Sequence, residues 1–269
     1  MSNVPPCTPS VWRKPPLISS PWLRHAALLA TALYLVMAVA SLEVNWARVI
    51  EGMGRGWQFV AAFLQPDFTS RRGDIVDGFK ESLTMTLTST VLGVALAIPF
   101  ALGAARNLAP RGLYLFCRGF IAVSRTLNEI IVAILLVAMF GFGPFAGFLT
   151  LTFATIGFLA KLLAEDIEEI HQTQLEAMRA TGGSTAQVLD YAVLPQVLPR
   201  LIGLSLYRLD INFRESSVIG IVGAGGIGAT LNTAMDRYEF DSAAAILLVV
   251  IVIVIAAEYG SGWIRKRIL

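Results

Sequence analysis

The chain has 269 residues, of which 55% are hydrophobic and only 15% are charged, and its formal net charge is +2. Soluble globular domains carry about a quarter charged residues, so this composition indicates that lipid covers much of the surface. The small net charge disfavours a nucleic-acid-binding protein. Cys7 and Cys117 match no metal or redox spacing, and the chain has only His25 and His171, so neither a metal nor a cofactor is expected.

Six segments are apolar enough to be membrane spans, because a bilayer core of about 30 Å needs about 20 such residues per helix. The predicted spans are 26–42, 83–105, 127–140, 144–163, 198–222 and 243–263. Pro99 lies inside the second span, where a membrane helix tolerates a kink. A tight turn, Gly141–Pro144, separates the third and fourth spans, and the fifth is ambiguous because it carries charges. The sequence therefore predicts an all-α, polytopic membrane helical bundle of about six transmembrane helices.

Lysine and arginine flank the first and last spans, which places both termini in the cytoplasm and requires an even number of spans. Residues 1–25 then form a cytoplasmic N-terminal tail and residues 26–269 a transmembrane domain. The segment 45–80 falls outside despite its five basic residues. Ala38-Val39-Ala40 resembles a signal-peptidase site, but we expect the first span to be retained as an anchor.

A polar loop, residues 164–197, joins the fourth and fifth predicted spans on the cytoplasmic side. The segment Gln172–Ala180 favours a helix, and Gly182-Gly183 supplies the left-handed backbone that ends one. Residues 186–194 favour a second short helix, with Pro195 marking the return to the membrane. His171, among acidic residues, is interpreted as a solvated surface residue.

The fifth span contains Arg208, Asp210, Asn212, Arg214, Glu215, Ser216 and Ser217. Charges at membrane depth are costly, so they pair with each other or face a water-filled path. Asp210 and Arg214 are four residues apart and can form an ion pair on one helical face. Alternatively, Arg214, Ser216 or Ser217 faces a pathway, where arginine suits a tetrahedral oxyanion.

A glycine run follows this span, and Gly223, Gly225 and Gly228 match the dinucleotide-binding fingerprint. That fingerprint requires a preceding strand in a soluble βαβ unit, whereas a charged membrane span precedes it here. We interpret the run as a flexible or re-entrant turn where backbones pack closely.

Arg125, Asn128 and Glu129 cluster at the cytoplasmic start of the third span. Arg125 and Glu129 are spaced for a surface ion pair across one helical turn. The alternative is that the three residues form an inner gate.

The polar loop contains Glu176-Ala177, then Gly182 after four residues, and Leu194-Pro195, with Pro195 thirteen positions after Gly182. This pattern resembles the coupling loop of ABC importer permeases, except that Ala192 replaces the usual isoleucine. In that family the loop lies as a short helix in a cleft of the ATPase subunit. The resemblance implies the type I ABC importer permease fold and coupling roles for Glu176, Ala177, Gly182, Leu194 and Pro195.

The run from Asn212 to Gly228 resembles the phosphonate, phosphite and hypophosphite branch of these permeases. Further segments agree with it, namely Pro66–Phe68, Ala104–Asn107, Gly141–Gly147 and Ile156–Leu162. The resemblance covers about 63–263 and implies import of a phosphorus oxyanion across the bacterial inner membrane. The implied partners are two ATPase subunits, a second permease (a copy or a paralogue) and an external substrate-binding protein. From their charge and polarity, the candidate pathway or gate residues are Asn212, Arg214, Glu215, Ser216 and Ser217, with Arg125, Asn128 and Glu129.

Two other classes of function were weighed against the importer. An intramembrane enzyme is disfavoured because no Ser/His pair, His-Glu-x-x-His or paired acidic metal motif occurs. A passive anion channel would need neither a coupling loop nor a partner ATPase. The chain has no P-loop, so we expect a separate chain to hydrolyse ATP.

Overall fold

The computed structural model describes residues 20–42 and 45–268, and all regular structure in this part of the chain is helical. The predicted N-terminal tail, 1–25, therefore lies mostly outside the described residues, as does Cys7. The chain divides into two compact units, Met1–Trp57 and Gln58–Leu269. The helices are α1 (Pro21–Ala40), α2 (Trp46–Ala62), α3 (Arg72–Ala104), α4 (Arg111–Thr126), α5 (Glu129–Phe140), α6 (Pro144–Glu168), α7 (Gln172–Ala180), α8 (Thr185–Val188), α9 (Leu194–Ile221), α10 (Ile227–Asp236) and α11 (Phe240–Ile268).

Four of the described helices, α1, α3, α6 and α11, are long and apolar enough to cross a membrane, which makes this a multi-pass membrane protein. The pair α4–α5, bent by 94°, can count as a fifth span. The predicted fifth span corresponds to α9, which is long enough to cross but is absent from this group because of its charges. Helices α2, α4 and α10 were not predicted.

The predicted third span, 127–140, corresponds to α5, whose 12 residues are too few to cross a bilayer core of about 30 Å alone. The backbone is extended at Leu127 and Asn128, and α5 begins only at Glu129. The Asn128 side chain accepts a hydrogen bond from the Ile130 N–H at 2.9 Å, which caps α5. In a continuous helix, this N–H would bond to a carbonyl of the preceding turn. A side chain that accepts the bond instead favours the start of a new helix. The chain therefore turns sharply at Asn128.

Helices α3 and α6 pack against each other through small and hydroxylated side chains. A Cβ atom added to Gly93 of α3 would lie 2.5 Å from the Thr155 side chain of α6. Ala97, Ala101 and Leu159 are fully buried in the same core. Small residues allow such close approach between membrane helices, where packing rather than water release drives association. Pro99 lies inside α3, which stays helical from Arg72 to Ala104.

The glycine run forms a turn that packs against the earlier turn at Gly141–Pro144. The Gly143 N–H donates to the Gly223 carbonyl oxygen at 3.0 Å. Gly225 has a φ of +78°, and a Cβ atom there would lie 2.6 Å from the Pro144 nitrogen. A left-handed backbone at such close approach requires glycine. The prediction of a closely packed turn is confirmed, and the preceding segment is helix α9 instead of the strand that a dinucleotide site requires.

Candidate functional site

The polar loop contains the predicted helix, α7, which ends at Ala180. Gly182 has a φ of +77°, and the N–H groups of Gly182 and Gly183 donate to the Arg179 and Met178 carbonyls at 3.0 and 3.3 Å. The glycine pair therefore ends the helix as predicted. Glu176, Ala177 and Gly182 are exposed, and a Cβ atom on Gly182 would meet nothing within 4 Å. Within this chain only the backbone conformation requires glycine at 182.

The second half of the loop departs from the prediction. Ser184 and Gln187 form a capping box at the start of α8. A π-helical turn, Leu189–Val193, then continues directly into α9. The predicted helix over 186–194 is confirmed as helical, but it does not end at Pro195 and is therefore not a separate helix. Proline lacks the N–H for an α-helical bond and its ring crowds the carbonyl four residues earlier, so the wider π turn accommodates it.

The inner side of the loop is apolar and well packed. Leu175, Val188, Ala192 and Val193 are buried in one cluster with residues of α3, α4, α6 and α9. Leu194 and Pro195 remain exposed. The exposed coupling surface, defined here as Glu176, Ala177, Gly182, Leu194 and Pro195, is therefore supported by a hydrophobic core. The π turn joins the loop to α9 without a break.

Polar contacts tie the base of the loop to the membrane helices. Arg200 of α9 forms an ion pair with Asp166 of α6 at 3.3 Å. The His171 N–H donates to the Gln196 side chain at 3.0 Å. Arg118 of α4 contacts Glu168 at 2.9 Å on the other side of α6. These contacts fix both ends of the loop on α6 and α9.

Asn212, a predicted pathway residue, is fully buried and joins three helices. Its side-chain amide donates to the Thr90 hydroxyl of α3 at 2.8 Å and to the Thr155 hydroxyl of α6 at 2.9 Å. Thr90 and Thr155 also donate to backbone carbonyls in their own helices. Asn212 therefore holds α9 against α3 and α6 and does not face an open path in this structure.

Arg208 is a residue that the sequence interpretation did not include among the site residues. Its side chain is 3% exposed, and its Nη2 lies 3.0 Å from Glu215 Oε2. Its Nε donates to Thr155 at 3.2 Å, and its guanidinium lies 5.5 Å from the centre of the Phe158 ring. The sequence signal for this pair was the spacing of Arg208 and Glu215, because residues seven apart lie on the same face of a helix. Opposite charges in an apolar span also tend to pair with each other.

The remaining residues of the predicted set separate into paired and buried groups. Arg214 Nη2 lies 3.0 Å from Asp210 Oδ2, which confirms the predicted ion pair. Arg214 is 59% exposed, whereas Asp210 is buried. The Ser216 hydroxyl is buried and donates to the Phe213 carbonyl at 2.7 Å. The Ser217 hydroxyl is buried without a hydrogen-bond partner in the described part of the chain.

A polar cavity of about 280 Å³ lies at the bend between α4 and α5. Its lining includes Arg125, Asn128, Glu129, Phe158 and Arg208, so the fold brings the predicted gate residues next to the charged span. Among the described ion pairs, none joins Arg125 to Glu129, so that predicted pair is wrong. The two residues are on different helices, because the chain turns at Asn128. Among the residues described, the Arg125 side chain has no hydrogen-bonding or ionic partner.

A further ion pair joins the segments that precede α3 and α11, outside the spans. Arg71 Nε lies 2.5 Å from Glu239 Oε2. The hydrogen bond from Arg71 lowers the pKa of the Glu239 carboxyl, and the same bond raises the pKa of Arg71. This contact joins two segments that are 168 residues apart in sequence.

This arrangement is the type I ABC importer permease fold. The MetNI methionine ABC transporter, solved in inward-facing conformations, superposes with a TM-score of 0.64 at 22% identity, covering 75% of this chain and 99% of that chain. Residues 97–269 match the family described as binding-protein-dependent transport system inner membrane component, and the chain belongs to this family.

Two relatives with known names cover most of the chain. The phosphate-import permease protein PhnE of Mycolicibacterium smegmatis is 43% identical over 87% of this chain, which spans 44% of that protein. The phosphite transport system permease protein PtxC of Stutzerimonas stutzeri is 38% identical over 76% of this chain and 74% of that protein. The chain thus spans less than half of the first relative and about three quarters of the second.

Proposed function

We propose that this chain is the permease subunit of an ATP-driven importer for a phosphonate or a related phosphorus oxyanion such as phosphite or hypophosphite. Relatives named for phosphate import and phosphite transport support the substrate class. The observation that carries the coupling role is the exposed coupling surface, which is supported by a buried core and continuous with α9. Two cytoplasmic ATPase subunits would bind this surface, and a second permease, a copy or a paralogue, would complete the membrane part. An external binding protein would deliver the substrate, and no nucleic-acid partner is proposed.

The proposed orientation places the coupling loop and both termini in the cytoplasm of a bacterium, with the bundle in its inner membrane. Counting α9 and the α4–α5 pair as spans, together with α1, α3, α6 and α11, gives the six that this orientation requires. An even number returns the chain to the side on which it began. Basic residues near the first and last spans support the cytoplasmic side.

The proposed oxyanion path passes the cavity at the α4–α5 bend. Arg208 is neutralised by Glu215, so it is poorly placed to hold a substrate. Arg125 is exposed and without an ionic partner among the described residues, which leaves its guanidinium available for brief contact with an oxyanion. A transporter needs such weak contacts, because a tight site would retain its substrate.

The test is the ATPase activity of the complex, reconstituted with its binding protein. Methylphosphonate, phosphite, hypophosphite and phosphate are added one at a time. We expect one of them to stimulate hydrolysis. A complex that contains no ATPase and responds to no oxyanion would refute the importer.

Two substitutions of Gly182 identify why the loop needs glycine. Gly182→Val strains the left-handed backbone, whereas Gly182→Asn fits that backbone but adds bulk toward a partner. We expect both variants to lose oxyanion-stimulated hydrolysis, with Gly182→Asn keeping the unfolding midpoint of the parent. Normal stimulation in Gly182→Asn would show that no partner packs closely at this position. Gly112→Asn, at an exposed glycine of α4 where an added Cβ atom also meets nothing within 4 Å, is the control for added bulk outside the loop.

The two alternatives give different results in the same assay. A passive channel would conduct oxyanions without ATP and would not respond to changes at Gly182. An intramembrane enzyme would convert a lipid or peptide substrate in the absence of any partner. The relatives carry permease names, which favours the importer over both.

A further inference from the structure

Helix α2, which follows the first span, has one apolar face that the described residues of its own unit, Met1–Trp57, do not cover. Trp46, Val49, Ile50, Met53 and Trp57 occupy positions i, i+3, i+4, i+7 and i+11, which share one side of a helix with 3.6 residues per turn. All five are exposed, with 67% of Trp46, 69% of Met53 and 73% of Trp57 accessible. Five large apolar side chains on one face indicate a surface that is covered in the working protein.

The opposite face of α2 is charged. Arg48, Glu51 and Arg55 lie there, and Arg55 Nη2 is 2.6 Å from Glu51 Oε1. With these charges, α2 is not among the helices that are apolar enough to cross a membrane. A helix with tryptophan on an apolar face and arginine on a polar face is typical of helices that lie in the bilayer interface.

Both ends of α2 are tethered to a helix that can span the membrane. Span α1 ends at Ala40, and the five residues before Trp46 can extend over at most about 20 Å. At the other end, the Phe59 ring meets the Phe240 ring edge-on with centroids 5.7 Å apart. Phe240 is the first residue of span α11. Each end of α2 is therefore held near the point where a spanning helix meets the bilayer surface.

We propose that α2 lies along the bilayer surface, with its apolar face in the boundary between headgroups and acyl chains. The partner is the bilayer itself. Arg48, whose side chain is without an ionic partner in the described part of the protein, would contact the phosphate groups of lipids. This proposal requires only that α1 and α11 span the membrane, so it does not depend on the transported substrate.

The test uses nitroxide labels on the full chain in nanodiscs of three parts phosphatidylethanolamine to one part phosphatidylglycerol. The background is Cys7→Ser with Cys117→Ala, and a single cysteine replaces either Met53 on the apolar face or Glu51 on the charged face. Collision rates are measured with oxygen, which concentrates in lipid, and with a water-soluble nickel chelate. We expect the ratio of oxygen to nickel collisions to be several-fold higher at 53 than at 51.

Three results would overturn the proposal. Equal ratios at 53 and 51 would place the helix in water. Protection of 53 from both reagents would show that protein covers the face, either a second copy or another part of this chain. Protection only after addition of the external binding protein would identify that protein as the partner. If the label at 53 disturbs folding, as judged by the thermal unfolding midpoint, Ile50→Cys reports on the same face.

Discussion

Replacing Arg208 with leucine tests whether the buried ion pair on α9 stabilises the bundle. Arg208 is 3% exposed and contacts Glu215 at 3.0 Å, Thr155 at 3.2 Å and the Phe158 ring at 5.5 Å. The substitution removes all three contacts and leaves Glu215 without its partner. Thr155 remains hydrogen-bonded to Asn212 and to its own helix, so the main loss falls on Glu215.

Removing one partner of a buried ion pair typically costs 3–5 kcal/mol, whereas replacing both partners with apolar residues is often neutral. The Glu215 side chain is 24% exposed, so water offsets part of the loss. We therefore expect Arg208→Leu to lower the free energy of unfolding by about 3 kcal/mol. The double variant with Glu215→Leu should lie within about 1 kcal/mol of the parent.

The assay is unfolding by sodium dodecyl sulfate in mixed micelles, followed by the loss of helical circular dichroism. The parent, both single variants and the double variant form a thermodynamic cycle, which isolates the coupling between the two residues. Arg208→Leu that unfolds at the same detergent fraction as the parent would refute a stabilising ion pair. A double variant whose loss equals the sum of the single losses would refute the coupling.

Three further predictions follow from other contacts. Asn212→Ala removes the hydrogen bonds to α3 and α6 and should lower the free energy of unfolding by about 1–2 kcal/mol in the same assay, the range found for interhelical hydrogen bonds in membranes. An unchanged free energy of unfolding would mean that these bonds do not hold α9. Arg125→Glu should lower oxyanion uptake into proteoliposomes, and adding Glu129→Arg should not restore the uptake, because no ion pair joins these two residues. Full restoration by the charge swap would contradict the structure. The pKa of Glu239 lies below its ordinary value of 4.5, so the pair with Arg71 stabilises the fold fully above that pH and its contribution is lost as the pH falls through the lowered pKa. The thermal unfolding midpoint of the parent should therefore fall more steeply below pH 4.5 than that of Glu239→Gln. Identical pH profiles for the two proteins would rule out this contribution.

The sequence predicted the local features that depend on neighbouring residues. The apolar segments near 26–42, 83–105, 144–163 and 243–263 correspond to α1, α3, α6 and α11, because hydropathy is a sum over adjacent residues. The end of α7 at Gly182 and the Asp210–Arg214 pair were predicted for the same reason. Each feature is set within a few residues by backbone freedom or helical spacing.

The tertiary structure decided where the polar side chains go. Sequence spacing suggested a pair between Arg125 and Glu129, but the cap at Asn128 divides the helix and separates them. Asn212 was assigned to a pathway because it is polar, yet Thr90 and Thr155, far away in sequence, bury it.

Hydropathy and helical spacing are properties of one segment, so the sequence by itself determined that the chain crosses a membrane and ends a helix at Gly182. The role of a buried polar group depends on which partner other helices bring to it. Only the packing of α3, α6 and α9 could therefore decide that Asn212 and Arg208 hold the bundle together while Arg125 remains free of an ionic partner within the described chain.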